Sequence, residues 1–170
     1  MKIYLKDVLF IIVFAFVVIN IYLFFESSDK AKETIKIVDS STEYYDVIGI
    51  VDKYVSAINN LEEDKILLML DDDFMKKHKI GKTNVFKNVK KFNNNRNTFS
   101  GDKMLYEKIT DNITKYYVSG KIVSQFIDNE TVADKYYLIV MIDNKNSTFS
   151  IIPDEGNKFR EVEKNVFWTK

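Results

Sequence analysis

The most uniform hydrophobic segment of the chain is residues 8–25, VLFIIVFAFVVINIYLFF, in which Asn20 is the one strongly polar side chain. At about 1.5 Å per residue, a helix of this length measures roughly 27 Å, close to the thickness of the hydrocarbon core of a bilayer. A helix in the core of a soluble protein would be shorter and would carry a polar stripe. The segment therefore predicts one transmembrane helix.

Two alternatives to an uncleaved signal anchor are a cleaved signal peptide and a buried helix of a larger membrane complex, in which Asn20 would bond a neighbouring helix. The apolar run is longer than the core of a usual signal peptide. It is followed by ESSDKAKE and not by a small-residue cleavage pattern. These features favour a signal anchor at residues 8–25, and they leave the membrane-complex alternative open.

Charged residues flanking the apolar run predict its orientation. Lys2 and Lys6 precede it, whereas Glu26 and Asp29 are among the charges that follow. Under the positive-inside rule, residues 1–7 lie in the cytoplasm and the rest of the chain lies outside the cell membrane. The membrane is thus one expected partner, contacted through a single helix.

Residues 26–43 are mostly polar without a sustained period, which indicates a linker or stalk. An extracellular domain is expected at residues 44–170. Its first helix begins at Ser41 or Thr42, either of which can cap it, and its apolar positions recur every three or four residues. We expect this helix to end at the Asn59-Asn60 pair.

Three shorter helices are predicted next. The second covers residues 62–70, and the third begins at Asp71 and runs into KKHK, so that acids occupy the first turns where they suit the helix dipole. Gly81 is expected to end the third helix. Thr83 is expected to cap the fourth.

Beyond residue 97 the apolar period changes to two, which is typical of strands. Gly120 interrupts a long strand where a bulge or kink is expected. A tight turn at residues 143–146 uses asparagines, which tolerate a left-handed backbone, and Pro153 should end the strand that follows. The predicted strands are 104–109, 115–127, a central strand at 135–142 and 147–152, with a ragged edge strand at 158–162 and 166–168.

Helices followed by an antiparallel meander predict an α+β fold, with helices packed on one face of a curved sheet. The segments VDKYVSAINNLEEDKILLML, YYVSGKIVSQF and KYYLIVMIDNKNSTFSIIP carry a resemblance over residues 44–152. In this order the chain resembles the cone-shaped nuclear-transport-factor-like fold. Behind one N-terminal span, it resembles the membrane-anchored assembly proteins of type IV secretion and Gram-positive conjugation. The resemblance implies an extracytoplasmic assembly role.

The residues that usually carry chemistry are sparse. His78 is the single histidine and there is no cysteine, so neither a clustered metal site nor a disulfide framework is predicted. Three consecutive acids at residues 71–73 would point about 100° apart on a helix and suit capping better than cation binding. Asp143, Lys145 and Ser147 lack the glycine and closing glutamate of a calcium loop. We therefore expect a protein that is not an enzyme and uses no cofactor.

Charge is the one strong signal for a partner. The chain has 25 basic and 25 acidic residues, but six acids lie between residues 62 and 73, and the segment 76–96 is basic without one acid. Such segregation predicts a surface that attracts an anionic partner, although a solvated lysine-rich edge is an equally weighted alternative. The predicted anionic-partner patch consists of Lys76, Lys77, Lys79, Lys82, Lys87, Lys90, Lys91 and Arg96.

The favoured interpretation is a single-pass membrane protein with an extracytoplasmic, non-catalytic scaffold or protein-interaction domain in a secretion, conjugation or sporulation assembly. Other envelope proteins are its expected partners, and no small-molecule substrate is implied. The 23 lysines against two arginines are typical of an AT-rich genome, such as that of a low-GC Gram-positive bacterium. The alternatives are an envelope protein with a ligand-binding pocket and, less favoured, an enzyme.

The orientation can be tested with a tag fused after Lys170 and protease added to intact cells. We expect digestion of the tag and of the attached domain, because the two lysines before the apolar run hold the N-terminus inside. Protection of the tag would contradict this orientation. A mature chain shortened by about 25 residues would instead support the signal-peptide alternative.

Overall fold

The computed structural model describes residues 35–89, 92, 96–125, 131–154 and 156–167. These residues belong to one compact unit, Ile35–Lys170. The predicted transmembrane segment at residues 8–25 lies outside the described part. Within the described part, no helix has both the length and the apolar character needed to cross a membrane.

Five strands and five helices are described, and the predicted α+β class is confirmed. The order along the chain is β1 (Ile35–Ile37), α1 (Ser41–Asn59), α2 (Glu63–Met69), α3 (Asp72–His78), α4 (Val85–Asn88), β2 (Asn97–Lys108), β3 (Ile113–Gln125), β4 (Thr131–Asp143), β5 (Thr148–Asp154) and α5 (Asn157–Phe167). The strands form one antiparallel sheet in the order β1-β2-β3-β4-β5.

Helix α1 begins at Ser41, and its capping residue is Ser40, one position before the predicted caps. The Ser40 side chain accepts a hydrogen bond from the Glu43 backbone N–H at 3.4 Å, and Asn60 ends the helix as expected. The apolar positions form one stripe that packs on the sheet, and Val47, Val51 and Tyr54 are completely buried.

Helix α3 begins as its sequence predicts and ends differently. The Asp71 carboxylate accepts hydrogen bonds from the N–H groups of Asp73 and Phe74 at 3.1 and 3.0 Å, which confirms the capping role. The helix ends at Lys79, which has a left-handed backbone with φ of 51°, so the prediction that Gly81 ends it is wrong. Hydrogen bonds from the N–H groups of Lys79 and Ile80 to carbonyl groups of the last turn stabilise this ending, as in a Schellman motif.

The sheet is larger than predicted. Strand β2 begins at residue 97 and not at 104, while β4 extends beyond its predicted residues and has neighbours on both sides. Strand β1 occupies residues 35–37 of the predicted linker. The sequence does not predict it, because an alternation of two isoleucines with one lysine is too short to show the period of a strand. Strand β5 continues through Pro153 instead of stopping before it, which an edge strand tolerates.

The bulge or kink predicted at Gly120 of β3 is found instead on the neighbouring strand β2. Gly120 pairs with Gly101, and the register of β2 shifts between Gly101 and Lys103. A Cβ atom on Gly120 would overlap both the Phe99 ring and the Ser100 carbonyl oxygen. Gly120 is therefore required by the close approach of the bulged neighbouring strand.

The predicted turn at residues 143–146 is present, with a different residue in the left-handed region. The Asp143 carboxylate accepts hydrogen bonds from the N–H groups of Lys145 and Asn146, at 2.9 and 3.2 Å. Ser147, and none of the turn's asparagines, has a positive φ, of 51°. The aspartate thus organises the turn as an Asx motif.

The predicted edge strand at 158–162 and 166–168 is wrong, because α5 spans Asn157–Phe167 and residue 168 lies outside the described part. Phe159, Val162 and Val166 recur at three and four positions, which is helical spacing. Phe159 and Val162 pack with Leu105, Tyr117 and Ile139 on the sheet face opposite α1. Helices therefore cover both faces of the sheet, and the prediction of helices on one face is corrected.

Two glycine substitutions test this packing. We expect Gly120→Ala to destabilise the chain by about 1–3 kcal/mol, because the methyl group overlaps the bulged strand. Gly49→Ala is the control. Gly49 lies within α1 and a Cβ there meets nothing within 4 Å, so alanine should stabilise the chain by up to about 1 kcal/mol. Unfolding of the full chain in detergent, followed by circular dichroism, measures both; parental stability of Gly120→Ala would contradict the close approach.

Candidate functional site

A groove of about 910 Å³ lies where β4 begins and β5 ends. Helices α3 and α4 form one wall, and the first turns of α5 form the other. The groove is lined by Phe74, Lys77, His78, Phe86, Lys87, Asn88, Val89, Lys135, Tyr136, Tyr137, Ile152, Pro153, Asp154, Asn157 and Arg160. We call it the basic groove.

Four basic side chains define the basic groove, and they come from four different elements. Lys77 lies on α3, Lys87 on α4, Lys135 on β4 and Arg160 on α5. None of them forms an ion pair with another residue in the described part of the chain. All four are exposed at the surface, so their charges are available to a partner.

The single described carboxylate of the groove, Asp154, has a structural role. Its Oδ2 atom accepts a hydrogen bond from the Phe159 backbone N–H at 3.2 Å, at the first turn of α5. Gly156, with φ of 86°, lets the chain turn tightly against the Tyr137 ring. The guanidinium of Arg160 lies over that ring, 5.8 Å from its centroid. The turn into α5 therefore fixes where Arg160 enters the groove.

The groove also has apolar lining residues. Phe74, Phe86 and Val89 come from the helices, and Ile152 and Pro153 come from β5. The His78 ring packs against Phe74 with a centroid separation of 4.5 Å and an angle of 40° between the ring planes. Cationic and apolar side chains in one groove can hold a ligand that carries negative charge together with apolar groups.

The edge of β5 beside the groove is closed to strand addition. The Asp71 N–H donates to the Ile151 carbonyl at 3.0 Å, so Ile151 presents its backbone groups on the outer side of the strand. Backbone groups alternate in direction along a strand, so Pro153 also faces outward. Proline has no N–H to offer a pairing strand. This edge therefore offers no complete row of backbone groups to an added strand.

Two tyrosine hydroxyls lie buried beneath this region. Tyr136 lines the groove from β4, and Tyr54 of α1 is buried beside Tyr136. Burial raises the pKa of both phenols, which face each other and stay neutral. Neither hydroxyl has a hydrogen-bond partner with acceptable geometry among the described residues.

The predicted anionic-partner patch is divided by the fold. Lys77 and Lys87 line the groove, whereas Lys76 pairs with Asp73 at 3.5 Å and Lys82 pairs with Asp64 at 2.9 Å. The other members lie elsewhere or are not described: Lys79 is exposed at the end of α3, Arg96 is exposed before β2, and Lys90 and Lys91 lie outside the described residues.

Two groove cations, Lys135 and Arg160, are absent from the sequence prediction. They lie far along the chain from the basic segment, in an interior strand and in a segment predicted to be a strand. The register that pairs β4 with β5 and the turn into α5 bring them to the groove. Only the tertiary fold shows this convergence.

The candidate catalytic and metal-binding residues are not brought together. Asp71 caps α3, Asp143 organises its turn, and His78 lies exposed against Phe74. Within the described ranges, no three His, Asp or Glu side chains are grouped so that they could hold a metal ion.

Comparisons of the chain with models of protein families, with curated proteins and with solved structures give no match. The function is therefore argued from the geometry and charge of the basic groove.

Proposed function

We propose that this chain is a single-pass membrane protein, anchored by residues 8–25, whose extracytoplasmic domain is a non-catalytic interaction module. The basic groove is its contact site for an anionic partner among the proteins of the cell envelope. The apolar N-terminal run and the two preceding lysines support the anchor and its orientation.

One observation carries the binding role. Four elements that are distant along the chain place Lys77, Lys87, Lys135 and Arg160 around one groove. Within the described part of the chain, none of the four forms an ion pair. A groove lined mainly by one sign of charge concentrates anions near the surface.

The fold agrees with an assembly role of the kind that the resemblance implies. Helices α1–α4 lie on one face of a five-stranded antiparallel sheet, as in a cone-like domain. Helix α5 on the opposite face departs from that arrangement and supplies one wall of the groove. We propose that the domain acts as a scaffold in a secretion, conjugation or sporulation assembly.

A second candidate function is an envelope protein that binds a small organic anion. The groove volume of about 910 Å³ is favourable for it, because ligand sites usually measure roughly 300–1,000 Å³. Its buried, unpartnered Tyr136 hydroxyl is a further favourable feature. Saturable binding of a single small anion that excludes acidic peptides would support this alternative.

Charge reversal tests the role of the groove. We expect Lys77→Glu/Lys87→Glu/Lys135→Glu in the full chain to weaken binding of a fluorescein-labelled poly-glutamate peptide by at least about tenfold at physiological ionic strength. The matched control, Lys36→Glu/Lys108→Glu/Lys145→Glu, changes net charge equally at exposed positions away from the groove. We expect it to weaken binding by less than about threefold, since exposed charges are screened over roughly 8 Å at physiological ionic strength.

Fluorescence anisotropy measures both affinities, and circular dichroism checks folding. The groove variant should unfold within about 1 kcal/mol of the parent, because its three lysines are exposed and unpaired. Equal weakening by the two triple variants would show that only net charge matters and would refute the groove as a contact site.

A further inference from the structure

The same chain carries an acidic surface of complementary character. Helix α2 and the first turn of α3 expose Asp64, Asp72 and Asp73, and the side chains of Asp64 and Asp73 are 72% and 94% exposed. Between these acids lies Leu68, which is 83% exposed, and just before them lies Leu61 at 50%. We call these five residues the acidic face.

Helical geometry groups two members of the acidic face. Asp64 and Leu68 are four positions apart on α2 and so lie on the same side of the helix. Leu68 also borders a shallow cleft between α1 and α2, whose other lining residues are Asp52, Lys53, Ser56, Glu62, Lys65 and Met69. An exposed leucine beside this cleft and several carboxylates gives the acidic face both apolar and charged groups for a contact.

The geometry points to a second copy of this chain as the anionic partner, with the acidic face of one copy docked in the basic groove of another. This inference rests on the proposed function of the groove. The carboxylates of the face complement the groove cations Lys77, Lys87 and Lys135, and Leu68 complements the apolar lining residues Phe74 and Phe86.

Charge distribution favours a copy over an unrelated partner. The chain is neutral overall, yet residues 62–73 are mainly acidic and residues 76–96 are basic. Within the described part of one copy, the exposed pairs Lys76–Asp73 and Lys82–Asp64 join the two segments, and Lys65 pairs with Glu62 inside the acidic one. Exposed pairs of this kind contribute little to folding. They can therefore exchange for contacts between copies.

The mode of docking follows from the walls of the groove. Pro153 and the Asp71–Ile151 hydrogen bond prevent addition of a strand to β5. A helical segment that inserts a leucine and surrounds it with carboxylates fits what remains, as in helix-in-groove recognition. Anchorage in one membrane raises the effective concentration of the copies, so even a weak contact assembles them.

Energy transfer between full-length copies in nonionic detergent tests the inference. The chain has no cysteine, so Asn144→Cys in the exposed β4–β5 turn gives one labelling site distant from the groove. We expect the parent to self-associate at low salt. The groove variant Lys77→Glu/Lys87→Glu/Lys135→Glu and the face variant Asp64→Lys/Asp72→Lys/Asp73→Lys should each associate at least about tenfold more weakly.

Mixing the two variants gives the decisive readout, because each supplies the charges that the other has reversed. We expect the mixture to associate within about threefold of the parent. Leu68→Ser, which alters no charge, should weaken association of the parent, whereas Lys108→Glu should not. Absence of transfer in the parent at about 100 μM, or equal transfer in all variants, would overturn the inference.

The same samples separate this inference from the proposed function. If the parent binds poly-glutamate through the groove but does not self-associate, the groove retains its role and the second copy is excluded as partner. If the parent instead binds vesicles containing phosphatidylglycerol and the groove variant does not, the partner is a lipid surface and the inference is overturned. Loss of both activities would refute the inference and the function together.

Discussion

Burial of both faces of the central strands is the constraint on which the rest of the described fold depends. Tyr116 and Tyr117 are neighbours on β3 and point to opposite faces, and both are buried. Each hydroxyl donates a hydrogen bond of 2.6 Å to a carboxylate, to Glu43 on one face and to Glu107 on the other. Burial, followed by these hydrogen bonds, raises the pKa of both phenols and keeps them neutral. A sheet of this kind requires a helical layer on each side.

The groove is a consequence of those two layers. Helix α3 is held against β5 by the Asp71–Ile151 hydrogen bond, and α5 is held against the other face by Phe159 and Val162. The two layers meet where β4 begins and β5 ends, and there Lys77 and Arg160 enter from opposite walls. Core packing therefore positions the elements that carry these cations.

Local structure with a strong period could be predicted from the sequence. The stripe of α1, the Asp71 cap and the β4–β5 turn were accessible, because each depends on residues that are close along the chain. The elements at the sheet edges are harder to predict, because β1 is too short to show a period and the apolar positions of α5 also fit short strands. Gly120 was recognised as unusual, but only the neighbouring strand shows that the bulge belongs to β2.

The candidate site could be predicted only in part, because the sequence shows charges that are close along the chain and not those that the fold brings together. A run of lysines identified Lys77 and Lys87, whereas pairing with Asp64 and Asp73 engages Lys82 and Lys76. Lys135 and Arg160 join the site through strand register and helix docking, which composition does not record.

Chemical footprinting of lysines tests the central claim, that the basic groove is a contact site in the native membrane. Acetylation rates of Lys77, Lys87 and Lys135 can be compared between native membranes and the purified, diluted chain, with exposed Lys36 and Lys108 as internal references. The account predicts that the three groove lysines react at least about fivefold more slowly in the membrane, while the references are unchanged, because a bound partner excludes the reagent. Equal rates at all five lysines in both preparations would contradict it.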